Sequence, residues 1–141
     1  MLDLYAGTAT LGMALASRAE KVTAIEINPH ACFDAEVNKE LNRISNVEIV
    51  CGDVGKKLGE LNVQPDLVVV DPPRTGLDGN AIAHLKKLQP DEILYVACNH
   101  ETQAANIQEM SGYRLAVLQP VDQFPHTPHI ENIALLRRIL T

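Results

Sequence analysis

Short strand-like runs alternate with helix-like stretches along the whole 141-residue chain. That alternation constrains the fold more than any other feature, because strands separated by helices pair in parallel and leave helices on both sheet faces. Strands are predicted over residues 2–5, 22–27, 47–51, 67–70, 93–97, 113–121 and 133–139. Helices are predicted over 10–18, 28–42, 53–61, 80–88 and 101–110. The second helix opens on Asn28-Pro29, an N-cap followed by proline at the first helical position. The run 22–27 alternates apolar and polar residues, whereas 67–70 is continuously apolar, as a strand covered on both faces should be. The last two strands follow one another without a helix, so they are expected to pair antiparallel.

Composition narrows the class. Hydrophobic residues make up 46% of the chain, enough for a packed core. No apolar run approaches the length of a membrane span, and no signal-peptide pattern is present. Three irregularly spaced cysteines speak against a disulfide framework, so a reducing, cytoplasmic setting is expected. The net charge of −6 lacks the basic excess of a stand-alone RNA binder. A first strand beginning at residue 2 reads as a domain excised from a longer protein, expected to be monomeric and either without nucleic-acid affinity or dependent for it on a part not among these residues.

In a doubly wound sheet, ligands sit beyond the carboxyl ends of the strands. The first strand runs there into Tyr5-Ala6-Gly7-Thr8-Ala9-Thr10-Leu11-Gly12, a small-residue turn that lets backbone approach a ligand. It does not spell the dinucleotide fingerprint, since Ala9 stands where the second glycine would be. Glu26 ends the second strand, where a carboxylate can accept from both ribose hydroxyls; Asp53 follows the third and could meet an adenine amino group. Each alone reads equally well as a solvated loop carboxylate. Together they mark one nucleoside groove. Dehydrogenases share this layout, but the missing fingerprint and the antiparallel final pair favour a methyltransferase.

The fourth strand ends in Asp71-Pro72-Pro73-Arg74-Thr75-Gly76-Leu77, where two prolines stiffen the turn that aims the carboxylate. Arg74 suits a phosphate or carboxylate. The fifth ends in Val96-Ala97-Cys98-Asn99. Most cysteines are small buried hydrophobes, the reading for Cys32 and Cys51; Cys98 differs by leaving its strand into a polar turn. Phe124-Pro125-His126-Thr127-Pro128-His129-Ile130-Glu131 should return to the same edge and present Glu131 just before the last strand. Two histidines do not make a ligand set, and no metal is expected.

These three motifs, in this order and spacing, resemble those of the RNA (uracil-5-)-methyltransferases that modify tRNA and 23S ribosomal RNA. The resemblance runs the length of the chain and implies a Rossmann-like S-adenosylmethionine-dependent methyltransferase fold, an α/β, mostly parallel seven-stranded sheet with a terminal antiparallel pair. It implies Cys98 as nucleophile, Glu131 as general base and Asp71 near both target base and methyl donor. Tyr5, Gly7, Glu26 and Asp53 would hold S-adenosylmethionine; Arg74 and Asn99 would contact the RNA. The chain departs from the family at Ala6, usually cysteine, and Ala9, usually glycine, where a positive φ would crowd the cofactor. The family's RNA-binding domains are not among these residues, so the isolated domain is expected to bind RNA weakly.

The implied chemistry needs a thiolate at uracil C6 and a base near C5, with no metal. The alternatives fit less well. RNA cytosine-C5 methyltransferases usually carry a second cysteine after the fourth strand, where this chain has Pro72-Pro73. Amino-group methyltransferases place an aromatic where Arg74 stands. A cofactor-binding module without catalysis has no use by design for the Cys98/Glu131 pair, but an S-adenosylmethionine-binding module inactive as an isolated fragment stays open as an alternative.

Overall fold

A computed structural model describes residues 1–139. Its seven strands are β1 (Leu2–Leu4), β2 (Val22–Glu26), β3 (Val47–Cys51), β4 (Leu67–Val70), β5 (Glu92–Ala97), β6 (Tyr113–Val121) and β7 (Glu131–Arg138). The helices are α1 (Thr10–Leu15), α2 (Pro29–Leu41), α3 (Val54–Glu60), α4 (Gly79–Leu88) and α5 (His100–Glu109). All form one sheet in the order β3-β2-β1-β4-β5-β7-β6. β1 to β5 pair in parallel, and β7 runs antiparallel to both neighbours, β5 and β6. The predicted β6–β7 pairing holds; the insertion of β7 between β5 and β6 was not foreseen.

Two apolar layers flank the sheet. Val54, Leu58, Ala81, Ile82 and Leu85 from α3 and α4 join Leu4, Val70, Tyr95 and Leu136 in the larger one. Ala16 and Ala35, with Met13 against them, pack beside Val22, Ala24 and Val47 on the other. This double cover corrects the expectation of alternation in β2: Val22 to Ile25 are all buried, Thr23 included. Boundaries shift by a residue or two. The first helix tightens into a 3₁₀ turn at Ala16–Arg18, and β1 stops at Leu4 because Tyr5 takes φ 60°. Glu131 is the first residue of β7 rather than its predecessor.

Capping follows the chemistry of helix ends. The Asn28 side chain accepts from His30 N, that of Asp53 from Lys56 N, and that of Asp78 from Ala81 N. At α1 the N-cap is Ala9, which has no capping side chain. A remote group serves instead: Asp3 Oδ2, buried on β1, accepts from Gly12 N at 2.8 Å. A Cβ on Gly12 would lie 2.7 Å from that oxygen and 3.2 Å from Val22 Cγ1, so packing demands glycine there.

Candidate active site

The parallel strands deliver their carboxyl ends, and antiparallel β7 its amino end, to one edge of the sheet. Along that edge stand Asp53 just after β3, Glu26 on β2, Tyr5 after β1, Asp71 after β4, Cys98 after β5 and Glu131 on β7. Each came from a different sequence motif; topology sets them in a row.

The half nearer β1 is built from backbone. Glu26 Oε2 accepts from Gly7 N at 2.8 Å and Oε1 from Asn28 N at 2.7 Å. Each oxygen keeps a further lone pair, so the carboxylate is fixed yet still able to accept from hydroxyls. Gly7 has φ 55°, and nothing lies within 4 Å of the Cβ it lacks, which leaves an open cradle over the turn. Buried Tyr5 Oη has no partner, and burial pushes its pKa up, with Asp78 and Asp53 adding to the effect. An open glycine and a held carboxylate at one edge of the sheet, with a buried hydroxyl left unpaired on the same turn, fit a nucleoside ligand with polar edges.

Ala9 takes φ 58°, the left-handed geometry glycine would favour, and its methyl is fully buried in the cluster that holds Val22 and Ala24. Ala6 packs against the same cluster, a small apolar side chain where cysteine is usual.

The other half is a pocket. Arg74, Cys98, Phe124, His129 and Glu131 line a cavity of about 220 Å³, smaller than the roughly 300–1,000 Å³ of drug-sized ligand sites. Register explains the meeting of thiol and carboxylate. Ala97 pairs with Asn132 across β5 and β7, so one step further sets Cys98 beside Glu131. Cys98 is partly exposed, as a working thiol must be. Asp71 is held between strands by its N–H, which donates to Leu4 O at 3.3 Å. Desolvation, and then the negative charge of Glu131, raise the Asp71 carboxyl above its usual range.

Some expectations change. The Asn99 carboxamide is engaged within the chain, its Oδ1 capping α5 and its Nδ2 donating to Arg74 O at 3.3 Å, so it supports the arginine turn from behind. Cys51 is exposed rather than buried, while Cys32 is buried and donates to Glu26 O at 3.3 Å. Asp53 spends one oxygen on its helix cap. His129 and Phe124 join the pocket unforeseen; their place in the loop before Glu131 was the only signal. Asp3 was also missed, since a carboxylate inside a strand gives no local hint that it caps a helix nine residues on. Among the described residues, no three His, Cys, Asp or Glu side chains gather as metal ligands, and no helix is long and apolar enough to cross a membrane.

A Rossmann-like sheet with an antiparallel strand inserted beside the last parallel one, and with its polar residues gathered along the carboxyl edge, defines the methyltransferase class. The profile of the tRNA (Uracil-5-)-methyltransferase family matches residues 55–139, and the chain belongs to that family. An uncharacterized RNA methyltransferase of Protochlamydia amoebophila is 46% identical over 140 residues, which is 95% of this chain and 32% of that protein. Another from Caldanaerobacter subterraneus is 41% identical over 98% of this chain and 31% of its own length. The chain thus spans about a third of the relatives it matches. Among solved structures, Pyrococcus abyssi tRNA (uracil-54, C5)-methyltransferase in complex with S-adenosyl-L-homocysteine superposes with a TM-score of 0.86 and 37% identity, over 96% of this chain and 33% of that one.

Proposed function

We propose that residues 1–141 are the catalytic domain of an S-adenosylmethionine-dependent RNA uridine C5-methyltransferase acting on tRNA or ribosomal RNA. The observation that carries the reading is the pocket in which Cys98 and Glu131 stand on neighbouring strands with Arg74 beside them. The Pyrococcus relative, a tRNA (uracil-54, C5)-methyltransferase, supports it at 37% identity. We assign the means of finding the RNA to other parts of a longer protein, consistent with a net charge of −6.

Tyr5, Gly7 and Glu26 would hold the cofactor, with Asp53 at its adenine end and Asp71 toward the target. S-adenosylmethionine supplies an electrophilic methyl group there. The target uridine must leave its stack to enter the pocket. Uracil C5 is a poor nucleophile, and Cys98 answers that by adding its thiolate to C6, forming a C–S bond and moving negative charge onto C5 and O4. Once C5 carries the methyl group it still carries its hydrogen. Glu131 takes that proton, the electron pair restores the C5–C6 double bond, and the C–S bond breaks to free Cys98. Arg74 neutralises RNA phosphate at the mouth.

The test uses the full-length protein, cofactor and RNA bearing 5-fluorouridine, which has no C5 proton to lose. A covalent protein–RNA complex should form and vanish in Cys98→Ala; a complex that persists in the variant overturns the nucleophile. Glu131→Gln on ordinary RNA should accumulate methylated, enzyme-bound RNA. Normal turnover would remove Glu131 as the base.

A further inference from the structure

Helix α5 enters neither the cofactor groove nor the cavity, yet its inner face is polar. Asn99, Thr102, Gln103 and Asn106 fall at i, i+3, i+4 and i+7, one stripe of the helix. Gln103 and Asn106 are buried, where a carboxamide costs free energy unless every polar atom is paired. Theirs are paired with the strands and turns that carry the site. Gln103 Oε1 accepts from Asn132 Nδ2 at 2.6 Å, and Gln103 Nε2 donates to Asn132 O at 3.2 Å and to Tyr95 O at 2.9 Å. Asn132 is the neighbour of Glu131. Asn106 Oδ1 accepts from Leu77 N and from Tyr95 Oη, each at 2.8 Å, and its Nδ2 donates to Leu77 O. Thr102 Oγ1, like Asn99 Nδ2, donates to Arg74 O.

The arrangement divides by target. Gln103 ties β7 to β5, the two strands whose register sets Glu131 beside Cys98. Asn106 closes the far end of the Asp71–Leu77 turn, and the α5 N-terminal turn holds its middle at Arg74. Gly76 shows how tightly that turn is pressed down: a Cβ there would lie 2.5 Å from Asn106 Oδ1.

We propose that Gln103 and Asn106 are positioning residues with separate duties, Gln103 aligning Glu131 for proton removal and Asn106 seating the Arg74 turn for RNA. The inference rests on Glu131 being the base and Arg74 an RNA contact. It predicts that the two carboxamides fail differently. Losing Gln103 spares C–S bond formation and methyl transfer but delays release. Losing Asn106 weakens capture of RNA and leaves release alone.

The experiment takes the full-length protein through a single turnover with RNA and follows three quantities: methyl incorporation, protein-linked RNA on a denaturing gel, and free product. Gln103→Met, close to isosteric, should leave methyl incorporation within about threefold and slow release about tenfold or more, as misplacing a catalytic group by a fraction of an ångström does. Protein-linked RNA should therefore accumulate. Gln103→Glu, which keeps the acceptor facing Asn132 but sets a buried carboxylate oxygen against the Tyr95 and Asn132 carbonyls, should slow release at least as much as Gln103→Met. Asn106→Leu should raise KM for RNA without accumulating adduct. Leu85→Ala, a truncation of a core residue that makes none of these bonds, is the control for a plain loss of stability. The inference is overturned if Gln103→Met partitions between adduct and product as Leu85→Ala does while Glu131→Gln accumulates adduct. If Gln103→Met does not fold, wild-type release in Gln103→Glu overturns it. Failure of Glu131→Gln to accumulate adduct removes the base itself, and the inference falls with it by a separable route.

Discussion

The two halves of the sheet edge are built by different means. On the β1–β2 side, the groove is shaped by backbone: Tyr5, Gly7 and Ala9 all take positive φ, and the Glu26 carboxylate collects two amide N–H groups. On the β4–β5–β7 side Gly76 and His126 also take positive φ, but it is side-chain carboxamides from α5 that hold the pieces together, across 29 residues of sequence. A groove for a cofactor needs close approach and fixed donors, which local turns provide. A reacting pair needs two strands held in register against each other, which only long-range bonds provide.

The contrast is open to attack, beginning where the effect should be largest. Glu26→Ala removes a charged acceptor from two amides and should weaken S-adenosylhomocysteine binding about 100-fold, read by calorimetry; Gln103→Met should leave that affinity almost unchanged. Equal losses in both variants would mean that the halves are not separately built. Gly12→Val, which drives a side chain into Asp3 and Val22, should cost about 2–4 kcal/mol of stability in a urea titration.

Asp3 gives a test by pH. Burial, outweighing the Gly12 hydrogen bond and aided by Asp71, pushes its carboxyl up to about 6. The folded state therefore holds this proton more tightly than the unfolded chain, whose aspartates titrate near 3.9. Its contribution to stability is complete below about pH 4 and is lost as pH rises through about 6, for a total of about 2–3 kcal/mol. Asp3→Asn should flatten that part of the stability curve; an unchanged slope would show that Asp3 does not titrate there. The smallest effect belongs to Gly7→Ala. Space is open, so only the left-handed φ is penalised, at about 1 kcal/mol, and cofactor affinity is the readout.

The same division explains what could be read beforehand. β3, β4 and β6 fall where apolar runs and turn residues put them, and the Asn28 cap follows from residue type alone. Tyr5, Glu26, Asp71, Cys98 and Glu131 were legible because each ends or begins a strand at the edge where such folds bind ligands. The parts that escaped depend on partners distant in sequence. Nothing local tells that Asp3 caps α1, that the Asn99 carboxamide bonds to Arg74 O, or that Gln103 and Asn106 are buried. A helix rich in Asn and Gln looks solvated until the turns it serves are folded over it.

Insertion of β7 between β5 and β6 also bears on how the protein is made. β5 leaves the ribosome with one edge unpaired, and some thirty further residues must emerge before β7 closes it. Until then Cys98 has no carboxylate opposite it. A nascent chain can assemble the β1–β3 turns early, but Cys98 and Glu131 meet only when the seventh strand is in place. On the proposed chemistry, the order of synthesis leaves a half-built domain without its base, with no separate inhibitor required.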